Sequence, residues 1–588
     1  MQKIVTGWIN KNQKKLSFSV MVNAGILILL LLFFRPEYET NDDMGICNLV
    51  NGARGVYESH LVYSNYFLGA VLSWCYRITQ RVPWYPLLQY ATLFLSYTAV
   101  FYVIQRKVSS TYALWLPLPM LVFFSYQGYI RLQYTKTAGI AAAAGFFLLF
   151  YALEQEKLYF RDILWGYLLT CLGFLYRSEQ FFAEAAVMSG IGVALLLELK
   201  GLERQRRRKR LLRYVGSATV LLLVLGVFWT SDRMAYREPA WQEYLAYNEA
   251  RTELFDYGFP AYSENKEAYQ ALGISKTAKR FYESWNHMDQ ERFSTETMQE
   301  LIKLKEPRTF GNELKTEFLE EFLPRFVNIA GIFLCALYGL YGLLWGRWRK
   351  SDRIGILYEI VVIAGLYLYL FYRGRYIHNR VDTGIWFAAI LVVIRLSEQR
   401  MNPFTKRTGL AFVLSCVCVF QLNWAEQLRW NAAKEKETML QERTVIETIH
   451  SDQEHLYLLK MGSVSFAKAY GVFDRIPYGI GDNLYPLGGW PTKTPVYTTV
   501  LERYGVENPF RDMIGSDTIY LIDQKIESTL KYLHDCYSSD ASAEEVMRVG
   551  PYPVYRINGH IDGGRQEVSS AEDVQKKRGE QNKHGRNS

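Results

Sequence analysis

The sequence predicts a polytopic α-helical membrane protein of about 11 spans, with an outer helical loop domain and a small extracytoplasmic α/β domain toward the C-terminus. Three observations predict it. Residues 1–424 carry repeated apolar runs of roughly 15–22 residues, the length range of membrane spans. Two stretches, 231–325 and 425–588, are ordinary polar sequence, so the mean hydropathy of −0.07 averages two kinds of chain. Finally, 43 Tyr and 14 Trp are an aromatic excess of the kind that forms belts at the two membrane interfaces.

Taken in order, Lys11, Lys14 and Lys15 precede an uncharged run, Ser17–Phe34. The run is longer than a signal-peptide core and no small-x-small cleavage site follows, so it reads as an uncleaved first span. The polar stretch Tyr38-Glu39-Thr40-Asn41-Asp42-Asp43 then leaves the membrane. Leu61–Arg77 is short and broken by Ser64-Asn65 and Ser73. Cleaner runs follow at 84–104, 112–124, 138–153, 163–176, 181–197, 211–230, 326–345, 354–372, 385–394 and 409–424.

Topology decides the status of Leu61–Arg77. Short loops rich in Lys and Arg belong in the cytoplasm. If Leu61–Arg77 lies on the outer surface as an interfacial helix, then Arg106-Lys107, Lys157/Arg161, Arg204–Arg210, Arg347–Arg353 and Arg395–Arg407 all fall inside together. If it spans, the basic run Arg204–Arg210 falls outside. The first arrangement gives a multi-pass chain with a cytoplasmic N-terminus and an extracytoplasmic C-terminal domain; a bacterial plasma membrane is the expected location.

The expected organisation is therefore a membrane module over 1–230, with a first outer loop at 35–83 and a surface helix at 61–77. An extracytoplasmic helical loop follows at 231–325, then a second membrane module at 326–424. An α/β domain at 425–557 and a disordered tail at 558–588 complete the chain. Within the outer loop, Lys276–Asn286 and Thr295–Lys305 read as amphipathic helices. In the α/β region, His455–Leu459, Pro495–Thr499, Thr518–Ile522 and Val554–Ile557 read as strands. Gln441–Ile449, Asp523–Asp535 and Ala543–Arg548 read as helices. The Gly479–Asp482 loop lacks the strand–loop–helix setting of a nucleotide fingerprint and reads as a turn.

The net charge of +9 is not a nucleic-acid footprint, because no basic face with interleaved aromatics accompanies it. The seven scattered cysteines match neither a zinc spacing nor a disulfide framework.

Chemistry gathers on the outward loops. Their acids are Asp42, Asp43, Glu179 and Asp382; their bases are Arg131, Lys136, Arg177, Arg373, Arg375, His378 and Arg380. Each alone reads as interfacial anchoring. Together they break the rule that outer loops are poor in Arg, and a phosphate partner explains the exception, since guanidinium binds phosphate through paired hydrogen bonds. Group transfer outside the cell draws on a donor carried by a lipid, and a polyprenyl-phosphate sugar supplies both the phosphate and a ready leaving group. A carboxylate beside the anomeric carbon then serves as base or holds a divalent ion. Trp490 offers a ring to stack on a sugar face, or packs in a core.

An inside N-terminus, a first span, an acidic motif opening the first outer loop and then a surface helix resemble the GT-C membrane glycosyltransferases. That superfamily includes protein O-mannosyltransferases, oligosaccharyltransferases and aminoarabinose transferases. The resemblance covers roughly residues 1–424 and implies that Asp42 or Asp43 is the catalytic base or metal ligand. The implied metal, where there is one, is a divalent cation (Mg or Mn). Tyr63–Leu68 occupies the position of the His-Pro-Pro-Leu-type surface helix of several such families, without its His and Pro residues. The implied partners are membrane lipids, a polyprenyl-phosphate sugar donor and a glycan, lipid or protein acceptor. Two other classes compete: a transporter or lipid-linked sugar flippase, and a non-enzymatic envelope protein whose outer domains bind a partner.

Overall fold

The structure is a computed structural model that describes residues 14–107, 117–305, 316–322, 330–345, 348–374, 378–397 and 432–562. Its first helix, α1 (Leu16–Phe33), contains no charged residue and leaves Ile28, Leu29, Leu32 and Phe33 exposed. Such a surface is stable against lipid and not against water. Its buried Asn23 is satisfied by the next long helix, donating to Thr98 Oγ1 at 2.9 Å and to the Phe94 carbonyl at 2.8 Å. Polar groups inside a bundle are paired across helices in this way.

Among the described residues, six helices are long and apolar enough to cross a membrane. They are α1, α4 (Trp84–Lys107), α6 (Tyr134–Glu154), α8 (Ser178–Glu198, extended to Gly201 by a 3₁₀ turn), α9 (Arg204–Ala235) and α14 (Lys350–Tyr372). Other expected runs form shorter or less apolar helices: α5 (Leu118–Ser125), α7 (Phe160–Tyr176), α13 (Ala330–Trp345) and α15 (Asn379–Ser397). The run at 409–424 lies outside the described residues.

Glycines set the closest helix contacts. A Cβ on Gly173 of α7 would lie 2.8 Å from both the Ala138 carbonyl and the Ala142 Cβ of α6. Gly355 of α14 and Gly190 of α8 face each other equally closely, a Cβ on Gly355 reaching within 2.8 Å of the Gly190 carbonyl. Without a hydrophobic force between helices in lipid, this backbone approach is what holds them.

The bundle has two chemically different ends. At one end Glu154 of α6 receives Lys107 (3.0 Å) and Arg395, Arg349 meets Glu198 at 3.1 Å, and Arg213 donates to the Gln155 carbonyl at 2.9 Å. The helix starts and ends carrying Asp42, Arg177 and Arg380 meet at the other. Across that second end lies α3 (Tyr66–Ile78), capped by Asn65, whose side chain accepts from Phe67 N. Its start bonds to Asp232 at the end of α9, and Thr79 just beyond it accepts from Trp84 at the start of α4. Leu68, Leu72 and Tyr76 face inward, while Phe67, Val71, Trp74 and Ile78 stay exposed.

Above this end, α2 (Asn41–Val50) and α3 share one continuous core with residues 236–302 and 445–557. The first of these contains α10 (Pro239–Phe255), α11 (Lys276–Glu283) and α12 (Thr295–Lys303). The second contains α16 (Ala432–His450), α17 (Pro495–Arg503) and α18 (Ile526–Cys536) around a five-stranded sheet. With β1 (Glu37–Tyr38) paired in parallel to β2 (Arg131–Leu132), the sheet strands are β3 (Leu456–Leu459), β4 (Leu484–Pro486), β5 (Ile519–Ile522), β6 (Ser542–Val549) and β7 (Tyr552–Asn558). Their order is β4-β3-β5-β7-β6, the first three parallel and the last two antiparallel.

Two expectations are corrected. Pro495–Thr499 is not a strand but opens α17, because Pro495 stands at the first helical positions, where its missing N–H and fixed φ favour helix. Ala543–Arg548 is not a helix but most of β6, because pairing with β7 overrides the local helix preference of its Ala and Glu residues. The two polar halves are stitched by Asp289, a fully buried carboxylate that accepts from Tyr537 (2.7 Å), Asn508 (3.1 Å) and Tyr532.

Candidate functional site

The structure separates the two adjacent aspartates. Both lie in the first turn of α2, where the helix dipole favours negative charge. Successive residues on a helix point about 100° apart, so one carboxylate turns into the bundle and the other toward its mouth.

Asp43 is the inward one and is fully buried. Its Oδ1 accepts from the Tyr85 hydroxyl (2.9 Å), Gln89 Nε2 (3.0 Å) and the Tyr134 backbone N–H (3.0 Å). It thereby ties α2 to the starts of α4 and α6. Burial pushes its carboxyl up to about 7, with the charge of Asp42 adding to the rise, while Oδ2 has no partner among the described residues.

Asp42 is the outward one, with about a fifth of its side chain exposed. Its Oδ2 accepts from Arg380 Nη1 at 2.5 Å, a charge-assisted bond that joins α2 to the first turn of α15. The charge of Asp42 is also felt at Arg177, Tyr134 and Tyr63, which mark its surroundings. Arg177, between α7 and α8, donates to the Tyr134 hydroxyl (2.8 Å) and Thr135 Oγ1 (2.9 Å), with Glu179 3.7 Å away on its outer side.

A second ion pair lies beside the first. Glu39 pairs with Lys136, a buried ammonium that also donates to Gln127 Oε1 at 2.8 Å. Asn379, next to Arg380, donates to Glu39 at 3.1 Å and to Gln127 at 3.2 Å. Burial alone would raise the Glu39 carboxyl; Lys136 and the Asn379 hydrogen bond outweigh it and leave it below its usual range.

The remaining sequence candidates go elsewhere. Arg131 bonds Glu37 at 2.5 Å. Arg373 lies 3.8 Å from Glu253 and stacks over the Tyr257 ring at 5.0 Å, so it serves the polar loop. His378 stands just before α15, its carbonyl accepting from Val381 N at 2.9 Å. Arg375 lies outside the described residues. Asp382 is buried and accepts from Tyr367 at 2.5 Å. Trp490 is a core residue: it is 8% exposed, fills the space beside Gly45 and meets the Tyr63 ring edge-on at 5.1 Å. It presents no open ring to a sugar.

Glu39, Asn379, Tyr134, Gln127, Tyr85 and Gln89 are not among the residues the sequence singles out. Asn379 adjoins Arg380 and Glu39 belongs to the acidic motif itself, which is the local signal that was there to find. The others carry no signal, because only packing brings them to the aspartates.

The donor set does not fit a divalent cation. Asp43 Oδ1 is filled by three donors and Glu39 by an ammonium. Among the described residues no three His, Cys, Asp or Glu side chains are grouped to hold a metal. What the site offers is a partly exposed carboxylate, Asp42, bonded to Arg380 and near Arg177, two guanidinium groups that can engage an anion.

No protein-family model, curated protein or solved structure matches this chain.

Proposed function

We propose that the chain is an integral-membrane glycosyltransferase of the GT-C kind, acting at the outer face of a bacterial plasma membrane on a polyprenyl-phosphate-linked sugar. The observation that carries the reading is the Asp42–Arg380 pair: an accessible carboxylate with Arg177 nearby, at the bundle end opposite Lys107, Arg349 and Arg395. The positive-inside rule puts that basic end in the cytoplasm, and the exposed apolar residues of α3 suit an interfacial position on the other side.

In this mechanism Arg380 and Arg177 bind the donor phosphate, with Arg380 exchanging Asp42 for the phosphate oxygens. Released from its ion pair, Asp42 takes the proton of the acceptor hydroxyl as that oxygen bonds to the anomeric carbon. The bond from that carbon to the phosphate oxygen breaks, and its electron pair leaves with the polyprenyl phosphate. Asp43 does not touch the substrate; it holds α2 in register with α4 and α6.

The transporter reading draws support from Glu184 of α8, a buried carboxyl group between Gly139 and Gly384 whose Oε2 has no partner among the described residues. The test that separates the two is incubation of proteoliposomes with radiolabelled polyprenyl-phosphate sugars. A glycosyltransferase consumes the donor and labels an acceptor, and Arg380→Gln reduces that. Movement of intact donor between leaflets without cleavage would replace the proposal with the transporter reading.

A further inference from the structure

A second feature lies where α1 ends and is lined by neither Asp42 nor Arg380. A cleft of about 320 Å³ opens where α1 ends, between the Arg35–Tyr38 segment, α16 and residues 467–472. Its apolar lining includes Pro36, Tyr38, Met439 and Val472. Two cations line it, Arg35 and Lys468, and neither has a carboxylate within 4.0 Å among the described residues. The guanidinium of Arg35 instead lies 2.9 Å from the Met439 sulfur, a weak acceptor.

The acids nearby do not neutralise these cations, because other bases hold them. Glu37 is bonded by Arg131 at 2.5 Å. Asp474 is bonded by Arg443 at 2.5 Å and by the Gly471 N–H at 2.9 Å. The cleft thus keeps a local excess of positive charge on a largely apolar wall. It also adjoins a lipid-facing surface, since Arg35 follows directly on the exposed Leu29, Leu32 and Phe33 of α1.

We infer that this cleft binds the phosphate head group of an anionic membrane lipid. Arg35 supplies directional N–H donors to the phosphate oxygens, Lys468 supplies a point charge at the rim, and the acyl chains lie along the exposed face of α1. An apolar wall and a guanidinium with no carboxylate partner among the described residues suit a ligand that is anionic at one end and apolar at the other. The inference needs α1 to be a span and needs nothing from the Asp42 reading.

The experiment uses the full-length protein in detergent micelles containing phosphatidylglycerol and phosphatidylcholine, with native mass spectrometry reading the lipid retained. The wild type retains phosphatidylglycerol in preference. Each Lys or Arg near a charged lipid surface contributes roughly fivefold, so the Arg35→Gln/Lys468→Gln variant binds about thirtyfold more weakly. Lys531→Gln, an exposed lysine on α18, serves as the control and retains it. Lys468 is exposed, so Lys468→Glu leaves the fold intact and also loses the lipid.

Competition separates the sources of phosphate. A polyprenyl phosphate that displaces phosphatidylglycerol, with the same dependence on Arg35 and Lys468, supports a lipid-phosphate site. Displacement by inorganic phosphate alone would overturn the lipid assignment. Equal retention of phosphatidylcholine, or wild-type retention by Lys468→Glu and the double variant, would overturn the site.

Discussion

Replacing Asp43 by Asn and by Ala separates the two things the buried carboxyl does. Burial lifts it to about 7 from an ordinary value of 3.8, a difference of about 4 kcal/mol between its protonated and ionised forms. The folded-state value is raised, so the neutral form is the one the fold favours. Its contribution is fully present below pH 4 and is lost as pH rises through 7. Asn resembles the protonated acid: its carbonyl can still accept from Tyr85, Gln89 and the Tyr134 N–H. Asp43→Asn should therefore match the wild type near pH 4.5 and become the more stable protein above pH 7. Ala leaves those three donors without an acceptor, and at about 1–3 kcal/mol for an unmet buried group, partly relieved by water, Asp43→Ala falls about 3–5 kcal/mol below Asp43→Asn at every pH. The assay is apparent thermal unfolding of the full-length protein in nanodiscs by tryptophan fluorescence, from pH 4.5 to 8.5 at one scan rate. An Asn variant as damaged as the Ala variant, or one whose difference from wild type does not change with pH, would refute the reasoning.

Further outcomes follow from the same contacts. Gly173→Leu drives a side chain into the Ala138 carbonyl and Ala142, costing at least about 1–3 kcal/mol and lowering the recovery of folded protein by size-exclusion chromatography. Gly226→Leu on α9, where nothing lies within 4 Å, leaves recovery unchanged. Arg54 is buried, donates to the Gly481 and Leu484 carbonyls at 2.7 and 2.6 Å, and lies over the Phe466 and Tyr497 rings. Arg54→Leu should cost about 2–4 kcal/mol and open residues 479–491 to limited proteolysis. Arg54→Lys recovers little, because an ammonium cannot reproduce the planar fork. Arg380→Gln should lower donor affinity by about tenfold or more in a competition assay with polyprenyl phosphate, through loss of a charge-assisted contact.

The long apolar helices were legible because length and composition alone decide whether a helix can cross a membrane. The short polar motif was legible as a place but not as a division of labour. Which of Asp42 and Asp43 is buried depends on the face α2 turns to Tyr85, Gln89 and Tyr134, and none of these is near it in sequence. The outer Arg residues look equivalent in a sequence. In the structure Arg131 goes to Glu37, Arg373 to Glu253 and Arg380 to Asp42, 338 residues away. Local propensity failed where neighbours outweighed it. The β-branched Val496–Val500 segment became helix behind Pro495, and the Glu-rich Ser542–Val549 segment became an edge strand because β7 was there to pair with it. Trp490 was ambiguous for the same reason: only the absence of a side chain at Gly45 makes room to bury it.

The central claim is that Asp42 is the reacting carboxylate and Asp43 its support. It is tested most directly by the initial rate of sugar transfer from a panel of polyprenyl-phosphate sugars, compared between Asp42→Asn and Asp43→Asn in proteoliposomes. Loss of a positioned base removes about 10²–10⁴-fold in rate, so Asp42→Asn should fall by that much while Asp43→Asn stays within about tenfold of the wild type. Transfer by Asp42→Asn at the wild-type rate, with Asp43→Asn inactive though folded, would contradict the account.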